Sequence, residues 1–224
     1  MAIREWPKTE RPREKLLERG PEALSDAELI AVLLGSGVRG SSAVDLARRL
    51  IARFGSIREL LRADRSAALS QLGVGPARYA LLRAALELAR RHHLDALRVG
   101  PAVGSPQATR AFLLAQLRDR PYEVFCCMHL DSRHRLIAFE ELFRGTLDSA
   151  SVHPREVIRQ VMAHNSAALI LAHNHPSGVA EPSRADELIT QRLRDSLALV
   201  DVRLLDHFVV GDGTCLSFSE RGLL

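Results

Sequence analysis

The chain has 224 residues, 46% hydrophobic and 26% charged, the balance of an ordinary globular protein, and its formal charge of +4 is carried almost wholly by arginine, since only Lys8 and Lys15 are lysines. No run of about 18 apolar residues occurs, and the opening MAIREWPKTERPREK has no apolar signal core, so we expect a cytoplasmic protein without a spanning helix. Three cysteines, Cys126, Cys127 and Cys215, lack CxxC spacing, which argues against a disulfide framework or a thiolate zinc site and in favour of core positions.

Charge divides unevenly. Residues 1–100 hold 18 Lys+Arg against 12 Asp+Glu, and residues 101–224 hold 13 against 15. This asymmetry predicts two domains, 1–100 and 101–224, with an anionic partner open to the first. Solvated helix faces would explain the same arginines equally well.

From Ser25 to about Arg91 apolar residues recur at helical spacing: Leu29, Ile30, Leu33 and Leu34, then Leu46, Leu50 and Ile51, then Leu81, Leu82, Ala85 and Leu88. Gly35, Gly37, Gly40 and Gly55 punctuate them. In LSQLGVGPARYALLRAALELA, Gly73-Val74-Gly75 joins two helical patterns and Pro76 opens the second, where its missing N–H costs nothing. Such a turn can bring backbone N–H groups to a helix N-terminus that accepts a phosphate. The stretch resembles a helix-hairpin-helix element, a DNA-backbone binder without sequence preference. Gly73, Gly75 and Arg78 are therefore candidate DNA contacts. The competing reading is a compact helix turn packed on its neighbour.

The segment RVGPAVGSP, Arg98 to Pro106, reads as a linker. Beyond it a helix is expected over Gln107 to Leu117, and the runs EVFCCMHL, RLIAFEELF, AALILAH and VRLLDHFVV read as strands. Further helices are expected over Pro154 to His164, with His153 marking its start, and Ser183 to Leu199.

The stretch LILAHNHPSG carries the chemistry. Alternate strand residues share a face, so His173 and His175 point one way and Asn174 the other, and both imidazoles can reach one ion. Downstream, Ser183-x-x-Asp186 has the outline of a capping box, which accounts for Asp186 by itself. Asp186 also continues the stripe Ile189, Leu193 and Leu197 that faces the core, and a carboxylate there beside two histidines is better explained by a cation. Two imidazoles and one carboxylate leave a fourth position of a tetrahedral zinc for water. Hydrolysis at such a zinc needs a base, and Glu123, Glu140 and Glu141 are the candidates near strands.

The pattern His173-Asn174-His175-Pro176, six residues, Ser183, two residues, Asp186 resembles the H-x-H-P-x6-S-x2-D signature of the zinc metalloisopeptidases with an MPN domain. The whole chain is similar to the bacterial RadC family, through PREKLLERGPEALSDAELIAVLLGSG, EELFRGTLDSASVHPREV, HNHPSG, LLDHFVVG and SERGLL. The resemblance implies an α/β domain, a mixed sheet flanked by helices of MPN/JAB-like, cytidine-deaminase-like architecture, after an all-α helix-hairpin-helix-like domain. It implies one zinc on His173, His175 and Asp186, Glu123 as the residue that activates water, and Ser183 as a donor to the oxyanion. The implied substrate is a protein with a peptide or isopeptide bond.

Of the other histidines, His92, His93, His129, His134 and His164 read as surface or element-end residues. Asp206-His207 reads foremost as a satisfied core pair, with orientation of a zinc ligand as the alternative. The stretch FRGTLDSASVHPRE is expected as a loop. A protein tied to DNA, with a structural or protein-recognising zinc domain, is the rival reading. A nucleobase deaminase is disfavoured by the lack of P-C-x-x-C and H-x-E, and HExxH and a Walker loop are also absent.

Overall fold

The computed structural model describes residues 3–99, 106–145 and 152–224, and the chain divides into two compact units, Met1–Ala89 and Arg90–Leu224. The division falls inside a helix, Pro76–Val99. Gly100 to Ser105 of the expected linker, and residues 146–151 of the FRGTLDSASVHPRE loop, lie outside the described residues.

The first unit is helical: α1 (Pro12–Arg19), α2 (Asp26–Leu34), α3 (Ala43–Phe54), α4 (Ile57–Arg62), α5 (Arg65–Leu69) and the start of α6 (Pro76–Val99). Its short helices are fixed at their N-termini by side chains. Ser25 with Glu28 and Ser42 with Asp45 form reciprocal capping boxes on α2 and α3, and Ser56 and Asp64 cap α4 and α5. The apolar stripes meet in a core of Ile30, Leu34, Val44, Leu46, Leu50, Leu60 and Val74. From α6, Leu82 joins this core while Leu81 is exposed.

The second unit is a five-stranded mixed sheet in the order β2-β1-β3-β4-β5, built from β1 (Val124–Leu130), β2 (Leu136–Arg144), β3 (Ala168–Asn174), β4 (Arg203–Val210) and β5 (Cys215–Ser217). β1 lies antiparallel to β2 and β3, β3 runs parallel to β4, and β5 is antiparallel to β4. The central strands β1 and β3 are buried along their whole length, as their unbroken apolar runs require of strands covered on both faces. On one face Val124, Cys126, Met128, Ile170 and Phe208 pack with α7 (Pro106–Leu117). On the other, Phe125, Cys127, Leu169 and Leu171 pack with α8 (Pro154–Ala163) and α9 (Arg184–Ala198). α9 is the crossover between parallel strands β3 and β4, so its N-terminus starts just beyond the His-Asn-His end of β3.

Candidate metal centre

β3 ends as its alternation predicts. His173 is fully buried on the α9 face, with Phe125 of β1 stacked beside it at 6.4 Å between ring centroids. Asn174 turns to the other side, where its Oδ1 accepts from the Val124 N–H at 2.8 Å and its Nδ2 donates to the Tyr122 carbonyl at 3.1 Å. This middle residue clamps the backbone on either side of Glu123, whose carbonyl accepts from Gly145 N–H at 3.0 Å. His175 lies just past the strand, held by its N–H to the Val210 carbonyl at 2.9 Å. The loop that follows is seated against the end of β4. Gly178 has φ +85° and its carbonyl accepts from Asp212 N–H at 2.7 Å, and a Cβ on Gly211 would stand 2.4 Å from that same carbonyl oxygen. Only glycine fits that approach.

Three donor groups converge. The His173 and His175 Nε2 atoms are 3.0 Å apart, His173 Nε2 is 3.2 Å from Asp186 Oδ1, and His175 Nε2 is 3.6 Å from Asp186 Oδ2. Asp186 is wholly buried. Its two oxygens divide the roles that the sequence left in competition. Oδ2 completes the capping box of α9, accepting from Ser183 N–H and Ser183 Oγ, each at 2.7 Å, while Oδ1 is buried with no hydrogen-bond partner among the described residues. The Ser183 hydroxyl hydrogen points to the Asp186 carboxylate, so that Ser183 fixes Asp186 at the start of α9.

Hydrogen bonds behind the histidines determine which ring nitrogens are bare. Thr190 Oγ1 donates to the Asp186 carbonyl at 2.5 Å and therefore accepts from His207 Nδ1 at 2.6 Å. Burial, and then the neighbouring His173, press the His207 pKa well below its ordinary value, so His207 is neutral. Its Nε2 then accepts from His173 Nδ1–H at 2.8 Å, leaving His173 Nε2 as a lone pair. His175 Nδ1 donates to the Val179 carbonyl at 2.8 Å, which leaves its Nε2 bare as well. Two lone pairs and a carboxylate oxygen thus face one another. A site so built attracts positive charge: the Asp186 carboxylate raises the His175 pKa against the effect of burial, helped by the Val179 carbonyl and Glu123, and against desolvation the neighbouring His173 and His175 hold Asp186 far below the usual carboxylate range.

A divalent metal ion satisfies all three groups at once. Ligands about 2.1 Å from a tetrahedral zinc lie roughly 3.4 Å from one another; the two Nε2 atoms are 3.0 Å apart and His173 Nε2 is 3.2 Å from Asp186 Oδ1, both near that value. Glu123 borders the same space, with a donor atom within 4.8 Å of those of His173 and His175. The other candidate bases are elsewhere: Glu141 pairs with Arg120 and Arg144, and Glu140 pairs with His164.

Two expectations are corrected. Asp206 and His207 are not a side-chain pair; Asp206 Oδ2 accepts from Ser217 Oγ at 2.5 Å and its Oδ1 from Ser219 N–H at 3.0 Å, while His207 supports His173. His129 is buried within β1 rather than at the surface. Sequence spacing missed Thr190 and Asn174, the first because a threonine on a buried helix face has no periodic signature.

In the first unit, Gly73 has φ +88° and a Cβ there would meet Val38 Cγ1 at 2.7 Å and Leu46 Cδ2 at 3.0 Å, whereas nothing lies within 4 Å of one on Gly75. Arg78 donates to the carbonyls of Gly73 (2.6 Å), Ser36 (2.5 Å) and Gly37 (3.2 Å) and to Ser36 Oγ (2.8 Å). Its guanidinium ties the turn to the loop after α2, as the packing reading of this turn expects.

A mixed sheet flanked by helices, ending in a His-x-His strand opposite an acid at the start of the crossover helix, defines a JAB/MPN-type domain preceded by a helical region. Residues 103–223 match the family described as RadC-like JAB domain and residues 3–80 match UPF0758 N-terminal. UPF0758 proteins of Thioalkalivibrio sulfidiphilus and Nitrosococcus oceani are 65% and 63% identical to this chain over the full length of each, and one from Azotobacter vinelandii is 60% identical over the same extent. The chain belongs to this UPF0758, RadC-like family.

Proposed function

We propose that the protein is a zinc-dependent hydrolase of peptide or isopeptide bonds, with zinc held by His173, His175 and Asp186. The reading rests above all on the bond pattern through Thr190, His207 and Val179, which leaves two bare Nε2 atoms beside the buried Asp186 carboxylate, that of His173 facing Oδ1 and that of His175 facing Oδ2. When bound, zinc supplies Lewis acidity, bringing the pKa of water to roughly 7 and polarising a carbonyl. Glu123 takes a proton from the attacking water and delivers it to the leaving amine. Asn174 and Gly145 hold the backbone at Glu123, so the carboxylate sits at a fixed place beside the imidazoles. Ser183 holds Asp186 by its second oxygen.

Glu123→Gln tests this. The variant should retain its metal and fold while peptide release, followed by mass spectrometry on a peptide library, falls by on the order of 10²–10⁴. Glu141→Gln, at a carboxylate paired with arginines, serves as control. Wild-type turnover in Glu123→Gln would remove Glu123 as the base, and no peptide release by the wild-type protein itself would remove the enzyme reading and leave a structural zinc domain.

Weak DNA-phosphate binding by the first unit is a second proposal, carried by the charge excess of residues 1–100. Its affinity should fall steeply with salt and be nearly independent of sequence. Undetectable binding at about 50 mM salt would dismiss it.

A further inference from the structure

The α8–α9 face of the sheet carries another set of converging groups at the opposite end of β1. His129 is fully buried, its Nδ1 2.9 Å from Ser166 Oγ. Its Nε2 lies 3.7 Å from Glu140 Oε2 of β2, beyond hydrogen-bond reach, and neither of these two buried atoms has a partner. The other Glu140 oxygen, Oε1, is 2.9 Å from Nε2 of His164, which caps the C-terminus of α8. The His129 and His164 rings are 4.5 Å apart between centroids. Donor atoms of His129, Glu140 and His164 all fall within 4.8 Å of one another.

Protons alone leave this set unsatisfied. A neutral His129 ring has a single N–H to place, toward either Ser166 Oγ or Glu140. With that hydrogen on Nδ1 toward Ser166, a bare Nε2 faces a carboxylate oxygen. With it on Nε2, the 3.7 Å gap is too wide to close as a hydrogen bond. In either tautomer Glu140 Oε2 is a buried carboxylate oxygen without a donor among the described residues, an arrangement that costs free energy. A cation between the three groups removes the cost. Two imidazoles with one carboxylate select a borderline divalent ion such as zinc, cobalt or nickel over magnesium or calcium, which prefer oxygen.

We propose that His129, Glu140 and His164 form a second transition-metal site, one that joins edge strand β2 to the central strand β1 and to the end of α8. Glu140 and His164 are partly exposed, so the ion has an entry path and a position left for water. The site lies apart from His173, His175 and Asp186 and stands whether or not those residues hold zinc.

The test is metal content of the full-length protein, stripped with chelator and dialysed against zinc, with cobalt as a spectroscopic probe. Glu140→Gln and His164→Ala should each hold one ion per chain fewer than the wild type, and Glu140→Gln should also hold one fewer when placed in a His175→Ala background. In that background cobalt should give a visible band that Glu140→Gln abolishes. Because each variant is compared with its own parent, the outcome is independent of the first centre. His164→Ala changes a partly exposed residue, so it reads the site without burying a mismatch. Zinc content in Glu140→Gln and His164→Ala equal to that of their parents would overturn the proposal and leave a Glu140–His164 ion pair.

Discussion

Thr190→Val tests whether hydrogen bonding behind His173 sets the metal centre. The substitution is nearly isosteric at a buried position and removes one hydroxyl, the acceptor 2.6 Å from His207 Nδ1. Without it the His207 Nδ1–H is buried and unpaired, at a cost of about 1–3 kcal/mol in folding stability. His207 can relieve this by moving its hydrogen to Nε2, but that nitrogen faces His173 Nδ1 at 2.8 Å. His173 must then hand over its Nδ1 hydrogen and carry one on Nε2, the atom turned toward Asp186. Loss of such a supporting contact typically lowers metal affinity about 10- to 100-fold, or about 1.4–2.7 kcal/mol. Competition with a chromophoric chelator measures affinity, urea unfolding of the stripped protein measures stability, and Thr190→Ser should restore both. Zinc affinity in Thr190→Val equal to the wild type, with only a stability loss, would refute the reasoning.

Asn174→Ala should leave zinc affinity within a few-fold while lowering stability by about 1–3 kcal/mol, since the buried Val124 N–H loses its acceptor, and should depress turnover through displacement of Glu123, checked by kinetics alongside metal content. Gly73→Ala should destabilise the helical unit by about 2–5 kcal/mol, combining a left-handed φ with contacts to Val38 and Leu46, whereas Gly75→Ala should stay within about 0.5 kcal/mol; urea unfolding compares them. In metal-free protein the His129 pKa of about 4, against an ordinary 6.5, means the unfolded chain takes up this proton at higher pH than the folded one. Stability should therefore be full above pH 6.5 and fall, by about 3 kcal/mol for this group, as pH drops toward 4. Denaturation across pH should show a shallower slope in His129→Asn.

Much of the sheet was legible because β1 and β3 are apolar without interruption, and only doubly covered strands tolerate that. The short edge strand β5 was not, since Cys215–Ser217 is too brief to show a period. For the candidate metal centre, local spacing was enough to bring its residues together: His173 and His175 share a strand face, and Asp186 sits one turn into a helix that a serine begins. The ambiguity over Asp186 came from asking whether it caps or ligates, when a carboxylate has two oxygens. His207 was misread because its neighbour Asp206 offered an obvious partner, yet adjacent strand residues point to opposite faces. The cluster of His129, Glu140 and His164 was invisible for a different reason: its members come from two strands and a helix end and meet only through the register of β1 with β2 and the packing of α8.

The parallel pair β3 and β4, joined by α9, has a consequence for the order in which this unit assembles. His173, His175, Ser183, Asp186, Thr190 and His207 all lie within one strand–helix–strand stretch, so gathering them requires closing only short loops, which is entropically cheap. Glu123 arrives by another route, through antiparallel registry of β1 with β3 that sets Phe125 opposite His173, a contact between distant parts of the chain and hence slower to form. If the proposed zinc binds, a nascent β3-α9-β4 unit already holds its three ligands, and the ion would stabilise that partial fold by mass action. On the proposed reading, the metal ligands gather before the base is placed, and hydrolysis would have to wait until the sheet around β1 is complete.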